Sequence, residues 1–258
     1  MLGRWLRRLG ILLVILLLIG ASAFVVWATN LPAPLPHALE ALQESPEVVI
    51  NQEEWIEFLP QVTPARVGLI LYPGGKVPAE AYAPLARDLA DAGYYVAILY
   101  APLNLAIFNY DEANAVMEAH KDVRTWVVGG HSLGGVAAAL YADAHPDKVR
   151  GLFLMASTPA SGDVVKTLVP GSTDLWKSTT LAVTSVYATN DGLFDAKALE
   201  ESKLLLPPQT NYVEIVGGNH AQFGWYGPQA GDGAATMSPE EQQVQTSNAA
   251  KALLESLK

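Results

Sequence analysis

Residues 126–141 read WVVGGHSLGGVAAALY. An apolar run ends in two glycines, a serine follows one residue later, and an alanine-rich run begins after it. Thr125 to Val128 has the character of a buried strand, and Leu133 to Ala144 that of a helix stopped before Pro146. Gly130-His131-Ser132-Leu133-Gly134 is therefore a G-x-S-x-G turn between a strand and a helix, the context in which such a serine is held out from a sheet edge. The helix behind it offers free N–H groups, and that of Leu133 can face a developing oxyanion.

Working outward, short apolar runs alternate with helical patterns. VGLILY (67–72) and YYVAILY (94–100) are buried-strand runs, with a helix over 78–92 between them and Gly93 as its stop. A helix is expected at 111–120. VRGLFLMA (149–156), residues 182–188 and residues 212–216 are further strands, and helices are expected at 196–204 and 239–257. VVINQEEWIEFLP (48–60) reads as an edge hairpin. Strand–helix alternation with right-handed crossovers makes an α/β fold, a mostly parallel sheet with helices on both faces. Only one irregular insertion, 158–180, interrupts it. Ligands of such sheets bind at the carboxyl ends of the strands.

A serine hydroxyl needs a base, and the base needs a carboxylate to orient it. Asp191 follows the strand at 182–188 in an Asn-Asp-Gly turn. His220 follows the strand at 212–216 in a Gly-rich loop and is the only histidine beyond residue 145. Ser132, Asp191 and His220 thus lie at strand ends in the order this topology requires. Asp195 is a weaker rival to Asp191 and better suited to capping the helix at 196. His131 reads as packing under the turn, and His37, His120 and His145 as structural or surface residues. A second oxyanion donor is expected from the loop after the first core strand, Tyr72-Pro73-Gly74-Gly75-Lys76, with the Gly75 N–H as the choice and Lys76 beside it. Leu103 and Phe108 in APLNLAIFNY, and Trp225 and Tyr226 in FGWYGPQAGDG, are candidates for the substrate wall.

The stretches YPGGKVPAEAYAPLARDLADAGY, VVGGHSLGG, YATNDGL and GGNHAQFGWYGPQAGDG resemble the α/β-hydrolase superfamily, and more narrowly the dienelactone-hydrolase-like branch known as the alpha/beta hydrolase fold-5 family. The resemblance spans most of residues 66–235 and implies Ser132, Asp191 and His220 as a triad. Dienelactone hydrolases proper use Cys, so the serine departs from that substrate. A Ser-His-Asp set with an oxyanion hole implies acyl transfer through an acyl-enzyme, with a carboxylic ester of modest size as the expected substrate. Amide or peptide cleavage on envelope material, or a binding role on the same fold, are the alternatives. No cofactor is called for, and no His/Asp/Glu metal spacing is visible.

The composition narrows the rest. The 258-residue chain carries formal net charge −10 and no basic cluster beyond residue 8, which argues against nucleic acid as a partner. It has no cysteine, so disulfides and a thiol nucleophile are excluded. Arg4, Arg7 and Arg8 precede an uncharged apolar run from Leu9 to Ala28, about the length needed to cross a bilayer of roughly 30 Å. Residues 1–30 read as a signal-anchor helix with Trp27 at the interface. The arginines are then cytoplasmic and the domain lies outside the cytoplasm. A cleaved signal peptide with the site Ala21-Ser22-Ala23 is the alternative. Residues 31–44, with prolines at 32, 34 and 36, form a stiff linker, and residues 45–258 the hydrolase domain.

Overall fold

The computed structural model describes residues 2–62, 64–159, 180–194 and 196–258. Eight strands form one sheet: β1 (Val48–Gln52), β2 (Trp55–Pro60), β3 (Val67–Tyr72), β4 (Tyr95–Leu99), β5 (Thr125–His131), β6 (Gly151–Met155), β7 (Ala182–Ala188) and β8 (Asn211–Ile215). The spatial order is β1-β2-β4-β3-β5-β6-β7-β8. The expected hairpin, β1 and β2, is antiparallel and forms one edge, with β2 also antiparallel to β4. All pairings from β4 through β8 are parallel.

Seven helices accompany the sheet: α1 (Leu2–Thr29), α2 (Pro36–Glu40), α3 (Ala83–Asp91), α4 (Ala113–Ala119), α5 (Leu133–Ala144), α6 (Ala196–Leu205) and α7 (Pro239–Glu255) among the described residues. Strand alternation builds two cores. Leu69, Leu71, Val96, Ile98, Val127 and Phe153 pack with α3 and α7 on one face. Ile70, Tyr72, Ala97, Val128, Leu152 and Leu154 pack with α4 and α5 on the other. Both faces are covered, which is why these strands read as nearly continuous apolar runs.

Two boundaries differ from the sequence expectation for a local reason. The helix expected at 78–92 starts as a 3₁₀ turn, Ala79–Tyr82, and becomes α-helical only at α3; Pro84 has no N–H to give and suits the first helical turn. The helix expected at 111–120 is likewise a 3₁₀ segment, Ala106–Glu112, leading into the shorter α4. The expected insertion at 158–180 falls, apart from its ends, outside the described residues, and so does Asp195.

Residues 31–44 contain α2, whose Ala38 is fully buried. The Leu35 N–H donates to the Trp225 carbonyl at 2.8 Å, and the Arg87 guanidinium of α3 donates to the Ala41 carbonyl at 3.1 Å. Before it, α1 has one stretch, Leu6–Thr29, apolar and long enough to cross a membrane, with mean hydropathy 3.0.

The chain passes from β3 to β4 on one side and returns to place β5 on the other. The loops after β3 and β5 therefore leave in opposite directions and open a crevice at the carboxyl edge of the sheet.

Candidate active site

Ser132 stands at the end of β5, where its N–H donates to the Met155 carbonyl at 2.9 Å. Its backbone has φ 51° and ψ −123°, a conformation a non-glycine residue adopts only when its surroundings enforce it. The enforcement is close packing. A Cβ on Gly130 would come within 2.3 Å of the Gly134 backbone, and one on Gly134 within 2.0 Å of the Tyr72 carbonyl oxygen. The two glycines of the motif let the turn press against itself and against the end of β3. Lys76, Leu103, Asn104 and Ala156, all in loops after strands, also have positive φ, so backbone strain collects at this edge of the sheet.

Asp191 and His220 meet. The His220 Nδ1 lies 2.8 Å from Asp191 Oδ2, and both side chains are almost fully buried. The other carboxylate oxygen of Asp191 accepts from the N–H groups of Leu193 and Phe194 at 2.8 and 2.7 Å. With an ionised carboxylate as its partner, Nδ1 carries a proton and Nε2 is left as the basic nitrogen. That Nε2 is buried and has no hydrogen-bond partner.

Asp232, which sequence reasoning missed, ties the two loops together. Its Oδ1 accepts from the Gly192 N–H at 3.1 Å and the His220 N–H at 3.2 Å, and its Oδ2 from the Ala221 N–H at 2.8 Å. The Gly231-Asp232-Gly233 context was the only local signal. His131 also does more than fill space. The Tyr82 hydroxyl accepts from the Gly74 N–H at 3.0 Å and lies 2.9 Å from His131 Nδ1. Burial raises the Tyr82 phenol, so the hydroxyl is un-ionised. Burial, and secondarily His220, pushes the His131 imidazole well below the ordinary histidine range, so it is neutral. Its ring centroid is 4.5 Å from that of His220, so His131 packs against the His220 ring as well as bracing the Gly74 loop.

Because Gly74 is committed to Tyr82, the free N–H of that loop is that of Gly75. Neither Gly75 nor Leu133 donates its N–H within the described chain. The two residues are neighbours: a Cβ on Gly75 would lie 3.1 Å from Leu133 Cδ2. Both line a cavity of about 660 Å³, together with Lys76, Leu105, Tyr226 and Trp27 of α1.

Of the four residues expected at the substrate wall, Tyr226 lines this cavity and Leu103, Phe108 and Trp225 do not. Phe108 is exposed and does not line this cavity, because its 3₁₀ segment turns Ile107 and Tyr110 to the core instead. Trp225 is buried, its ring tilted against that of His37 with centroids 4.2 Å apart and its indole N–H hydrogen-bonded to Gln243, while its neighbour Tyr226 faces the cavity. Leu103 does not line it either; Leu105 does. The remaining histidines pair with carboxylates: His120 with Glu57 and His145 with Asp111, each at 2.7 Å.

A family model described as "Alpha/beta hydrolase family" matches residues 68–244. No curated protein sequence matches the chain. Among solved structures, an esterase of Pyrobaculum calidifontis is 16% identical, covering 92% of each chain with TM-score 0.59. Est1E from Butyrivibrio proteoclasticus is 14% identical over 81% of this chain and 99% of its own, with TM-score 0.58. XC6422 from Xanthomonas campestris, described as an α/β serine hydrolase without a lid, is 16% identical over 82% of this chain and 97% of its own, with TM-score 0.55. At such identities the likeness is one of fold.

Proposed function

The chain belongs to the alpha/beta hydrolase family, and from that premise we propose that it is a membrane-anchored serine hydrolase that cleaves a carboxylic ester through an acyl-enzyme. The observation that carries the reading is the His220–Asp191 hydrogen bond of 2.8 Å, with Nε2 of His220 left basic and unpartnered, at the same sheet edge as the strained Ser132. In this reading His220 takes the Ser132 proton as Oγ attacks the carbonyl carbon, and later delivers it to the leaving oxygen. Asp191 holds the tautomer and stabilises the imidazolium. The N–H groups of Gly75 and Leu133 receive the oxyanion. Water then attacks the acyl-enzyme. The esterase of Pyrobaculum calidifontis among the proteins of like fold supports ester over amide. The apolar length of α1 behind Arg4, Arg7 and Arg8 supports an anchor with the domain outside the cytoplasm.

The test is labelling of the membrane-extracted protein with a fluorophosphonate, followed by peptide mapping and turnover of nitrophenyl esters and peptide amides. Label is expected on Ser132, lost in His220→Ala, and Ser132→Ala should lower ester turnover by about 10⁶-fold. Label on another residue, or full activity in Ser132→Ala, would remove the assignment. The intact mass of the same sample should include residues 1–23; a chain beginning after Ala23 would replace anchor by signal peptide.

A further inference from the structure

The wall of the cavity includes a residue of the apolar helix. Trp27 stands two residues before the end of α1 and lines the same cavity as Gly75 and Leu133. The junction is built. Ala28 is fully buried, and its carbonyl accepts from the Asn104 side chain at 3.0 Å. The Asn104 carbonyl in turn accepts from the Lys76 N–H at 2.8 Å. Leu103 and Asn104 are consecutive residues at positive φ, a strained turn that brings this bridge to the helix end. The helix is thus tied to the loop that carries the Gly75 N–H.

We propose that the substrate of this site is a phospholipid of the bilayer that α1 spans, entering beside Trp27 with its headgroup phosphate at Lys76; this rests on the serine-esterase reading and on α1 being kept. The apolar stretch Leu6–Thr29 has 24 residues, about 36 Å of helix at 1.5 Å per residue, somewhat more than the roughly 30 Å hydrocarbon layer. Trp27 therefore lies at the membrane–water interface, where indole rings settle. The ester carbonyls of a phospholipid lie at that same level, between acyl chains and headgroup. A catalytic edge held there meets them without extracting the lipid far, whereas a water-soluble ester gains nothing from this placement. The cavity, about 660 Å³, is in the size range of small-molecule sites, and Leu105, Leu133 and Tyr226 give it an apolar lining suited to an acyl chain.

Lys76 supplies the headgroup contact. It is the one charged side chain on the cavity wall among the described residues, in a chain of net charge −10. Its Nζ sits 4.6 Å from the Trp27 ring centroid, at the junction of helix and site. An ammonium with three donors is a point-charge partner for a phosphate. In the reaction Ser132 Oγ forms an ester with the acyl carbon, the carbon–oxygen bond to glycerol breaks, and the proton from Ser132 passes through His220 to the glycerol oxygen. Water then releases a fatty acid, leaving a lysophospholipid.

The experiment uses the full chain in vesicles of diacyl phosphatidylglycerol carrying a fraction of uncharged diacylglycerol, with 4-nitrophenyl butyrate as the soluble ester. Mass spectrometry should find lysophosphatidylglycerol and fatty acid. Lys76→Gln should lower phospholipid cleavage about tenfold, the scale of one charge-assisted hydrogen bond, with a smaller effect on diacylglycerol. Trp27→Ala should lower release from vesicles by a larger factor than turnover of 4-nitrophenyl butyrate, and equal losses on both would overturn entry beside Trp27. Turnover of the soluble ester without lysophospholipid would overturn this inference and leave the esterase reading standing. Equal losses on both lipids in Lys76→Gln would overturn the headgroup contact. Neither label nor turnover of any ester would bring down the esterase reading itself.

Discussion

Asp191 is held by three donors, two backbone N–H groups and His220 Nδ1, and this fixes which nitrogen of His220 is basic. An amide in its place would keep the shape but offer Nδ1 the wrong hydrogen-bonding face, favouring the other tautomer. Asp191→Asn should therefore fold normally and lose about 10⁴-fold in kcat; kcat near that of the parent would show that His220 is oriented by something else. Another residue-scale prediction concerns Glu57, far from the site. It is buried between β1 and β4 and accepts from Asn51 at 3.1 Å, Trp55 at 3.2 Å and Tyr95 at 2.8 Å, with His120 at 2.7 Å. Burial pushes its carboxyl up, but the hydrogen bonds from His120, Tyr95 and Trp55 outweigh this and hold it at about 2, against an ordinary 4.5. A carboxyl depressed in the folded state contributes stability that is present above pH 4.5 and lost as pH falls toward 2. Denaturant titrations of Glu57→Gln should show a flatter fall in stability across that window, and an unchanged slope would mean other carboxylates govern it.

Among the elements, α7 is the clearest case of a helix whose start is written locally. Ser238 Oγ accepts from the Glu241 N–H at 3.2 Å, Glu241 accepts from the Ser238 N–H at 2.8 Å, and Pro239 takes the first helical position. Ser238→Ala should cost about 1 kcal/mol of unfolding free energy, read from the denaturation midpoint; a change of less than a few tenths would mean the helix is held by its packing alone. That packing is substantial, since Ala249, Ala250, Leu253 and Leu254 are buried in the same core as α3. The elements that departed from expectation are the 3₁₀ segments ahead of α3 and α4, Ala79–Tyr82 and Ala106–Glu112.

Over the whole molecule, the segment between α1 and β1 belongs to the packed body. Ala38 is fully buried, and the neighbouring backbone is bonded to Trp225 and to Arg87. Ala38→Leu should overpack this contact and lower stability by about 1–3 kcal/mol, whereas a segment acting only as a spacer would absorb the larger side chain at no cost in thermal unfolding. The alternation of apolar runs with helical patterns, the G-x-S-x-G turn, and Asp191 and His220 following later strands are short-range features, and the sequence by itself determined them: strand faces, helix stops and turn glycines are set by neighbours within a few residues. The tertiary structure alone decided the rest. Tyr82 reaches His131 across 49 residues, Asp232 reaches Gly192 across 40, and Asn104 reaches Ala28 across 76. It also turned Tyr226 to the cavity and Trp225 away from it, although the two adjacent aromatics looked alike in sequence. Such contacts follow from how the loops of a twisted parallel sheet converge at its carboxyl edge, and no local pattern of residues encodes that convergence.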